Sequence, residues 1–268
     1  MRYPTGFYDV MPAPAYYASH HIGSSLMKKL LPKYTAKDFW YPSWMNPNRP
    51  DDDEVKEALH IGRAMHHFML EPHTFHSHWN IKQGVNKSGM ANTIGEGQFE
   101  EMKTMKAEWA TMPRLAQLVQ GGRFEVSMFW EHPETGAPCR GRLDYLKDVT
   151  VVDLKFVAEV DERAIPRMIA EYHYDIQAAA YLDGLKITTG RDDGRFVLAF
   201  QEKKPPYKIV ARVLGEDILA MGRSKYEQCC RRYKEFLDAY GPDKPWPAFE
   251  DKVGILTGSD MPSWWSFE

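Results

Sequence analysis

Asp144, Asp153 and Lys155 are of the types, and at the spacing, that could do chemistry. They fall in GRLDYLKDVTVVDLKF, residues 141 to 156, which otherwise reads as two strands joined by a Lys147-Asp148 turn. Side chains alternate along a strand, so Asp153 and Lys155 share one face while Val152 and Leu154 take the other. Pairing across the turn brings Asp144 opposite Asp153, at the separation of about 5 Å typical of cross-strand neighbours. Two carboxylates that close repel, and a divalent cation bound through oxygen relieves the repulsion most directly. A lysine cannot ligate that ion, but it can orient water or steady negative charge beside it. Spacing alone leaves a second reading open, an ordinary cross-strand ion pair on a solvated face, because D-x-K recurs by chance.

The elements that must position these residues follow from periodicity. DDDEVKEALHIGRAMHHFML starts with acids suited to a helix N-terminus and continues with apolar residues at helical spacing (Val55, Ala58, Leu59, Gly62, Met65, Met69), which predicts a helix over about 52–70, ended by Pro72. Residues 80–96 read as a mobile polar loop and 98–119 as a second helix stopped by Gly121-Gly122. Strands follow in RFEVSMFW, CRGRLDYL and TVVDLKFV, then a helix over 165–184 with Pro166 in its first turn. RFVLAFQE and YKIVARVL read as two further strands, and 215–239 as a long amphipathic helix. This order predicts an α/β fold, a central mixed sheet flanked by helices. Residues 1–50 read as an irregular extension with one short helix near SSLMKKLL, 51–240 as the core, and 241–268 as an extended tail with three of the eight tryptophans, all within a single domain over 1–268.

Composition bounds the function classes. At 43% hydrophobic and 26% charged residues the chain reads as an ordinary soluble globular protein, and no apolar run approaches the roughly 20 residues of a membrane span. A cytoplasmic location without membrane association is expected. Cys139, Cys229 and Cys230 form no CxxC pair, so neither a disulfide framework nor a zinc ribbon is indicated. The net charge of −3 supplies no global attraction to nucleic acid, so a polyanion would have to meet a locally basic groove.

Two other segments carry polar residues at helical spacing. ALHIGRAMHHFMLEP offers His66, although a single helix histidine more often packs than ligates. YDIQAAAYLDG places Gln177 and Tyr181 one turn apart with alanines between them. Six histidines between residues 60 and 78 invite a zinc reading, but they lack nearby cysteines and a standard ligand spacing, and adjacent His66 and His67 diverge by about 100° on a helix.

Taken in order, G-x-A-x-H-x-x-x-L-E-P, E-x-S-x-F-W, G-R-x-D, V-x-D-x-K and Q-x-x-x-Y resemble the PD-(D/E)xK nuclease superfamily, with its restriction-endonuclease-like core, here with an N-terminal helical decoration. The likeness is to the exodeoxyribonuclease VIII branch, related to lambda exonuclease and RecB-type nuclease domains, and covers nearly the whole chain. It implies Asp144 and Asp153 as metal-binding carboxylates, Leu154 as a carbonyl ligand, Lys155 as the catalytic lysine and His66 as a ligand of a second ion. It further implies Gln177 and Tyr181 as the helix motif supporting the site and touching the DNA backbone, and Glu125 as an acid beside the metals. The superfamily's second acid is often Glu, whereas here it is Asp153.

The resemblance implies an exodeoxyribonuclease that uses Mg²⁺, or Mn²⁺ as a substitute, with two ions about 4 Å apart. It would act on double-stranded DNA ends, 5′ to 3′, and leave 3′ single-stranded tails for an annealing recombinase partner in phage-type recombination. A ring-shaped homo-oligomer is expected on the same ground. Arg140, Arg142 and Lys147 flank Asp144 as candidate phosphate contacts, while Lys203 and Lys204 read better as solvated charge. The alternatives are a RecB-like single-strand nuclease or endonuclease using the same site, and an inactive DNA-binding accessory protein. Alanine at Asp153 or Lys155 is expected to abolish DNA cleavage while leaving the fold intact, and near-normal turnover by either variant refutes the assignment.

Overall fold

Strands rich in Val, Phe and Leu need neighbours on their edges and cover on both faces, and the chain supplies these in sequence order. A computed structural model describes residues 1–50, 57–83, 92–249 and 257–262. The N-terminal segment forms β1 (Gly6–Tyr8), α1 (Ala13–Tyr17), α2 (Ser24–Met27) running into a 3₁₀ turn at Lys28–Leu30, and α3 (Ala36–Trp40). It is therefore more ordered than its Pro and Tyr content suggested. Pro14 sits in the first turn of α1, where a missing N–H costs nothing. Thr35 and Asp38 close a reciprocal capping box on α3, at 3.4 and 2.8 Å.

Next come α4 (Glu57–Leu70), α5 (Pro72–His78), β2 (Asn80–Lys82), β3 (Thr93–Gly95), α6 (Glu96–Ala110) and α7 (Pro113–Leu118). The acids at 51–54 and Val55 lie outside the described residues, as do 84–91, which include Lys87 of the expected loop. That loop is flanked by a short parallel ladder of β2 with β3. The helix expected over 98–119 breaks in two because Pro113 cannot continue α6 and instead opens α7.

The main sheet has six strands: β1, β4 (Arg123–Glu131), β5 (Pro138–Lys147), β6 (Thr150–Val157), β7 (Arg195–Glu202) and β8 (Ile209–Val213), in that spatial order. Only β6 and β7 run parallel, joined by α8 (Ala164–Glu171) and α9 (Tyr174–Thr189), so the sheet is mixed. The helix expected over 165–184 is interrupted at His173, whose φ of 52° lies in the left-handed region, and α9 runs on to Thr189. α10 (Glu216–Tyr240) packs on α9. Trp246 of the tail is buried and stacks on Phe39 at 5.5 Å, whereas Trp264 and Trp265 lie outside the described residues.

One face of the sheet is covered by α8, α9, α10 and the N-terminal helices, through residues such as Val126, Leu143, Val151, Phe196 and Phe200. Tyr145, Val152, Leu154 and Val197 face the other way, toward Leu70 of α4 and Trp109 of α6. Strict alternation fails at one row. Phe124 packs on the α4/α6 face and Val126, two residues later, lies in the opposite core; Tyr145 and Leu143 show the same switch. Glu125 lies between the first pair with φ 50°, and Asp144 between the second.

α9 carries two of the candidate residues, and its distance from the sheet and from α10 is set by small side chains. A Cβ on Gly222 of α10 would lie 2.1 Å from the Asp175 carbonyl oxygen, which is backbone and cannot yield. The two helices are tied there by Lys225 and the buried Asp175 carboxylate at 2.5 Å. Gly222→Ala should therefore destabilise the protein by about 1–3 kcal/mol despite alanine's better helix propensity. Chemical denaturation should show a lower midpoint, and an unchanged or raised midpoint would contradict this packing.

Candidate active site

β5 pairs with β6 only at Lys147–Thr150, Leu146–Val151 and Tyr145–Val152. Beyond that point β5 stays with β4 and β6 with β7, so the two strands part where Asp144 and Asp153 would face each other. The flanking β4–β5 register likewise sets Glu125 opposite Asp144, and this position also interrupts the ladder. Three acidic positions thus form a row across three adjacent strands at the mouth of a fork.

Each carboxylate has its own partner. The Leu154 N–H donates to Asp144 Oδ2 at 2.7 Å, standing in for a ladder bond. Asp153 is buried; its Oδ2 forms an ion pair with the Lys155 ammonium and its Oδ1 accepts from Gln177 Nε2 at 2.7 Å. Lys155 also donates to Gln177 Oε1 at 3.3 Å, closing a triangle of Asp153, Lys155 and Gln177. Glu125 Oε2 accepts from Arg142 Nε at 2.5 Å.

From the other side α4 delivers His66, whose Nδ1 lies 3.4 Å from Asp144 Oδ2 and whose ring meets Phe156 edge-on at 5.0 Å. One ligand atom each from His66, Glu125 and Asp144 lies within 4.8 Å of the others. Imidazole with two carboxylates is a donor set suited to a divalent cation. The charge balance agrees. Burial, then the neighbouring Asp153 and Glu125 carboxylates, push the Asp144 carboxyl well above its usual range. Burial lowers the pKa of His66, which favours the uncharged ring, the form able to bind a cation. Burial works against the Lys155 ammonium too, but Asp153 and Asp144 outweigh it and hold the pKa above the ordinary lysine value.

Asp144, Glu125 and His66 therefore converge, while Asp153 sits beside them turned toward Lys155 and Gln177. Leu154 engages the site through its amide. Tyr181 is buried, with its hydroxyl accepting from the Arg142 backbone N–H at 3.4 Å. A Cβ at Gly141 would come within 2.8 Å of the Tyr181 ring, which gives the first residue of G-R-x-D a steric reason. Arg140 is turned away: its Nη1 donates to the Tyr16, Tyr17 and Ser19 carbonyls and to Ser19 Oγ, with the guanidinium 4.6 Å over the Tyr16 ring. Lys147 is exposed beside the β5–β6 turn, three residues from Asp144.

Two residues that sequence reasoning passed over also face the site. Lys155 lies 4.7 Å over the Tyr174 ring, and Lys28, from the N-terminal segment, lies 5.6 Å over the same ring while donating to the Tyr172 carbonyl. Burial, followed by repulsion from Lys155, brings the Lys28 pKa down to about 8. Tyr174 precedes Gln177 by one helical turn, a spacing visible in the sequence, whereas nothing local marks Lys28.

The model of the PDDEXK-like domain of unknown function (DUF3799) matches residues 44–244. Among solved structures, one described as a "Putative exonuclease", from Eubacterium rectale, superposes with a TM-score of 0.60 at 15% identity, covering 84% of this chain and 87% of that one, a likeness of fold. A phage related exonuclease from Haemophilus somnus 129PT covers 82% of this chain and 96% of its own at 11% identity, with a TM-score of 0.34, too loose a superposition to argue from. No curated protein matches. The matched span contains the whole row of acids, the lysine and the imidazole, and the chain belongs to this PDDEXK-like family.

Proposed function

We propose that the chain is a divalent-metal-dependent exodeoxyribonuclease that hydrolyses linear double-stranded DNA. The observation that carries this reading is the meeting of His66, Glu125 and Asp144 beside a lysine that Asp153 and Gln177 hold in place. His66, Glu125 and Asp144 would hold one ion, and the resemblance would add Asp153 and the Leu154 carbonyl as ligands of a second. Mg²⁺, or Mn²⁺ in its place, supplies charge neutralisation and an acidified water when bound there, which phosphodiester hydrolysis requires at neutral pH.

The chain's own groups then have distinct tasks. Lys155, kept protonated by its carboxylate neighbours, donates a hydrogen bond to the attacking water or to a non-bridging phosphoryl oxygen. Gln177 fixes Asp153 and Lys155 relative to each other, so neither rotates out of the fork. Tyr181 supports β5 from beneath through Gly141 and the Arg142 amide. The water oxygen forms the new bond to phosphorus, the bond to the 3′ oxygen breaks, and that oxygen takes up a proton. Exposed Lys147 is the flanking cation open to a DNA phosphate. The 5′-to-3′ direction, the 3′ single-stranded tails for an annealing recombinase and a ring-shaped homo-oligomer rest on the resemblance to the exodeoxyribonuclease VIII branch and belong to the same proposal.

End-labelled linear duplex, nicked circle and single strand, each incubated with Mg²⁺ and with EDTA, test the reading. Loss of linear duplex only in Mg²⁺, with circles intact, is expected. Cleavage of circles makes the chain an endonuclease, a preference for single strands replaces the duplex assignment, and binding without cleavage leaves only an accessory protein.

Burial of Asp144, with repulsion from its neighbouring carboxylates, gives a second test. With its carboxyl held above the usual range, the folded protein bears a cost for ionising it; the cost is absent below the ordinary carboxylate pKa and fully present once pH exceeds the raised one. Asp144→Asn removes that cost while keeping an acceptor for the Leu154 N–H. In EDTA at pH 7.5 the variant should melt about 2–4 °C above wild type, the shift that about 1 kcal/mol produces in a chain of this size. Mg²⁺ should stabilise wild type and not the variant. A lower melting temperature in EDTA, or equal Mg²⁺ stabilisation of both, would contradict the assignment.

A further inference from the structure

Arg142 was expected among the DNA-contacting cations, yet its side chain is turned toward the protein. Nε donates to Glu125 Oε2 at 2.5 Å, Nη1 donates to the Met11 carbonyl at 3.1 Å and approaches Ser127 Oγ at 3.4 Å, and the guanidinium lies 5.7 Å from the Tyr16 ring centre. The side chain is 19% exposed. Glu125 is the strand residue with φ 50°, a conformation a non-glycine residue keeps only when its surroundings over-determine it. Its carboxylate reaches His66 and Asp144 from that backbone position.

We propose that Arg142 is a positioning residue that aims the Glu125 carboxylate at His66 and Asp144, and that the N-terminal segment sets its fork through the Met11 carbonyl. The inference rests on the reading of His66, Glu125 and Asp144 as metal ligands. A planar guanidinium can serve a carboxylate through Nε and a carbonyl through Nη1 at fixed relative angles; a lysine carries the same charge without that fork. Electrostatics alone predicts the reverse of positioning. Removing a positive charge beside the acids deepens the negative potential and tightens cation binding, so weaker binding after charge removal can only come from a misaimed ligand.

The test measures Mn²⁺ binding without DNA, by electron paramagnetic resonance of the free ion, for wild type, Arg142→Lys, Arg142→Gln, Glu125→Gln and Glu125→Gln/Arg142→Lys. Melting curves confirm that each variant is folded. Outer partners of metal ligands typically contribute 10–100-fold to affinity, so Arg142→Lys and Arg142→Gln should each weaken Mn²⁺ binding by about tenfold or more. In the Glu125→Gln background Arg142→Lys should cause no further loss, because Arg142 acts through that carboxylate. Duplex binding in Ca²⁺, measured across salt concentrations, should keep the wild-type slope in Arg142→Gln, whereas a lost phosphate contact reduces that slope by about 0.9.

Wild-type or tighter Mn²⁺ affinity in Arg142→Gln, or a full further loss in the double variant, overturns the proposal. A reduced salt slope with unchanged Mn²⁺ affinity returns Arg142 to the phosphate contacts. Failure of wild type itself to bind Mn²⁺ would instead remove the metal-site reading on which the inference stands. Should Arg142→Gln not fold, Arg142→Lys and the double variant still decide the question.

Discussion

Three carboxylates on neighbouring strands repel one another, and the site is organised around holding them together. The two outer ones have cations of their own, Arg142 for Glu125 and Lys155 for Asp153. The central one, Asp144, has a backbone amide and an imidazole. Burial, then the neighbouring Asp153 and Glu125 carboxylates, push the Asp144 carboxyl upward. A pocket arranged this way has the charge and donor set suited to a divalent ion.

The same row explains why the sheet is irregular where it is. A continuous β5–β6 ladder would leave little room between Asp144 and Asp153, and strict alternation along β4 would carry Val126 to the face of Phe124. Instead the left-handed turn at Glu125 switches the facing of β4 and β5, β5 leaves β6 at Tyr145–Val152, and β6 continues beside β7. The fork admits His66 from α4 on one side and Gln177 from α9 on the other. Close packing of α9 on the sheet, with Gly184 against Met128 and Trp130 and the Tyr181 ring against Gly141, keeps Gln177 within reach of Asp153.

Legibility in the sequence followed local physics. TVVDLKFV and RFVLAFQE read correctly because alternation and β-branched residues decide a strand locally, and α10 followed from its amphipathic period. Asp153 and Lys155 sharing a face followed from the pleat alone, but the expected pairing of Asp144 with Asp153 across the turn is not formed, because β5 and β6 part after Tyr145–Val152. What was missed depends on neighbours far along the chain. β1 exists because β4 offers it an edge, and the break before α9 needs His173 in a left-handed conformation that no local signal announced. Pro113 was a visible breaker overlooked within a run of good helix formers. Glu125 could be placed in the site by likeness, but that its carboxylate comes within 4.8 Å of ligand atoms of His66 and Asp144 depends on a backbone switch invisible to period counting.

The N-terminal segment, which reads as decoration, touches the site at two separate points. Met11 offers its carbonyl to the guanidinium that holds Glu125, and Lys28 brings a second ammonium to the Tyr174 ring already occupied by Lys155. Burial of the Lys28 ammonium, with repulsion from Lys155 added to it, brings Lys28 down to about 8. The Tyr174 ring they share and the Tyr172 carbonyl offset part of that repulsion. Asp153 and Asp175 attract the Lys28 ammonium as well, so its charge is tied in part to Asp153, which also holds Lys155. A segment that supplies both an anchor for the arginine beside Glu125 and a second lysine beside Lys155 is part of the candidate site's wall, and its order and the site's geometry must be maintained together.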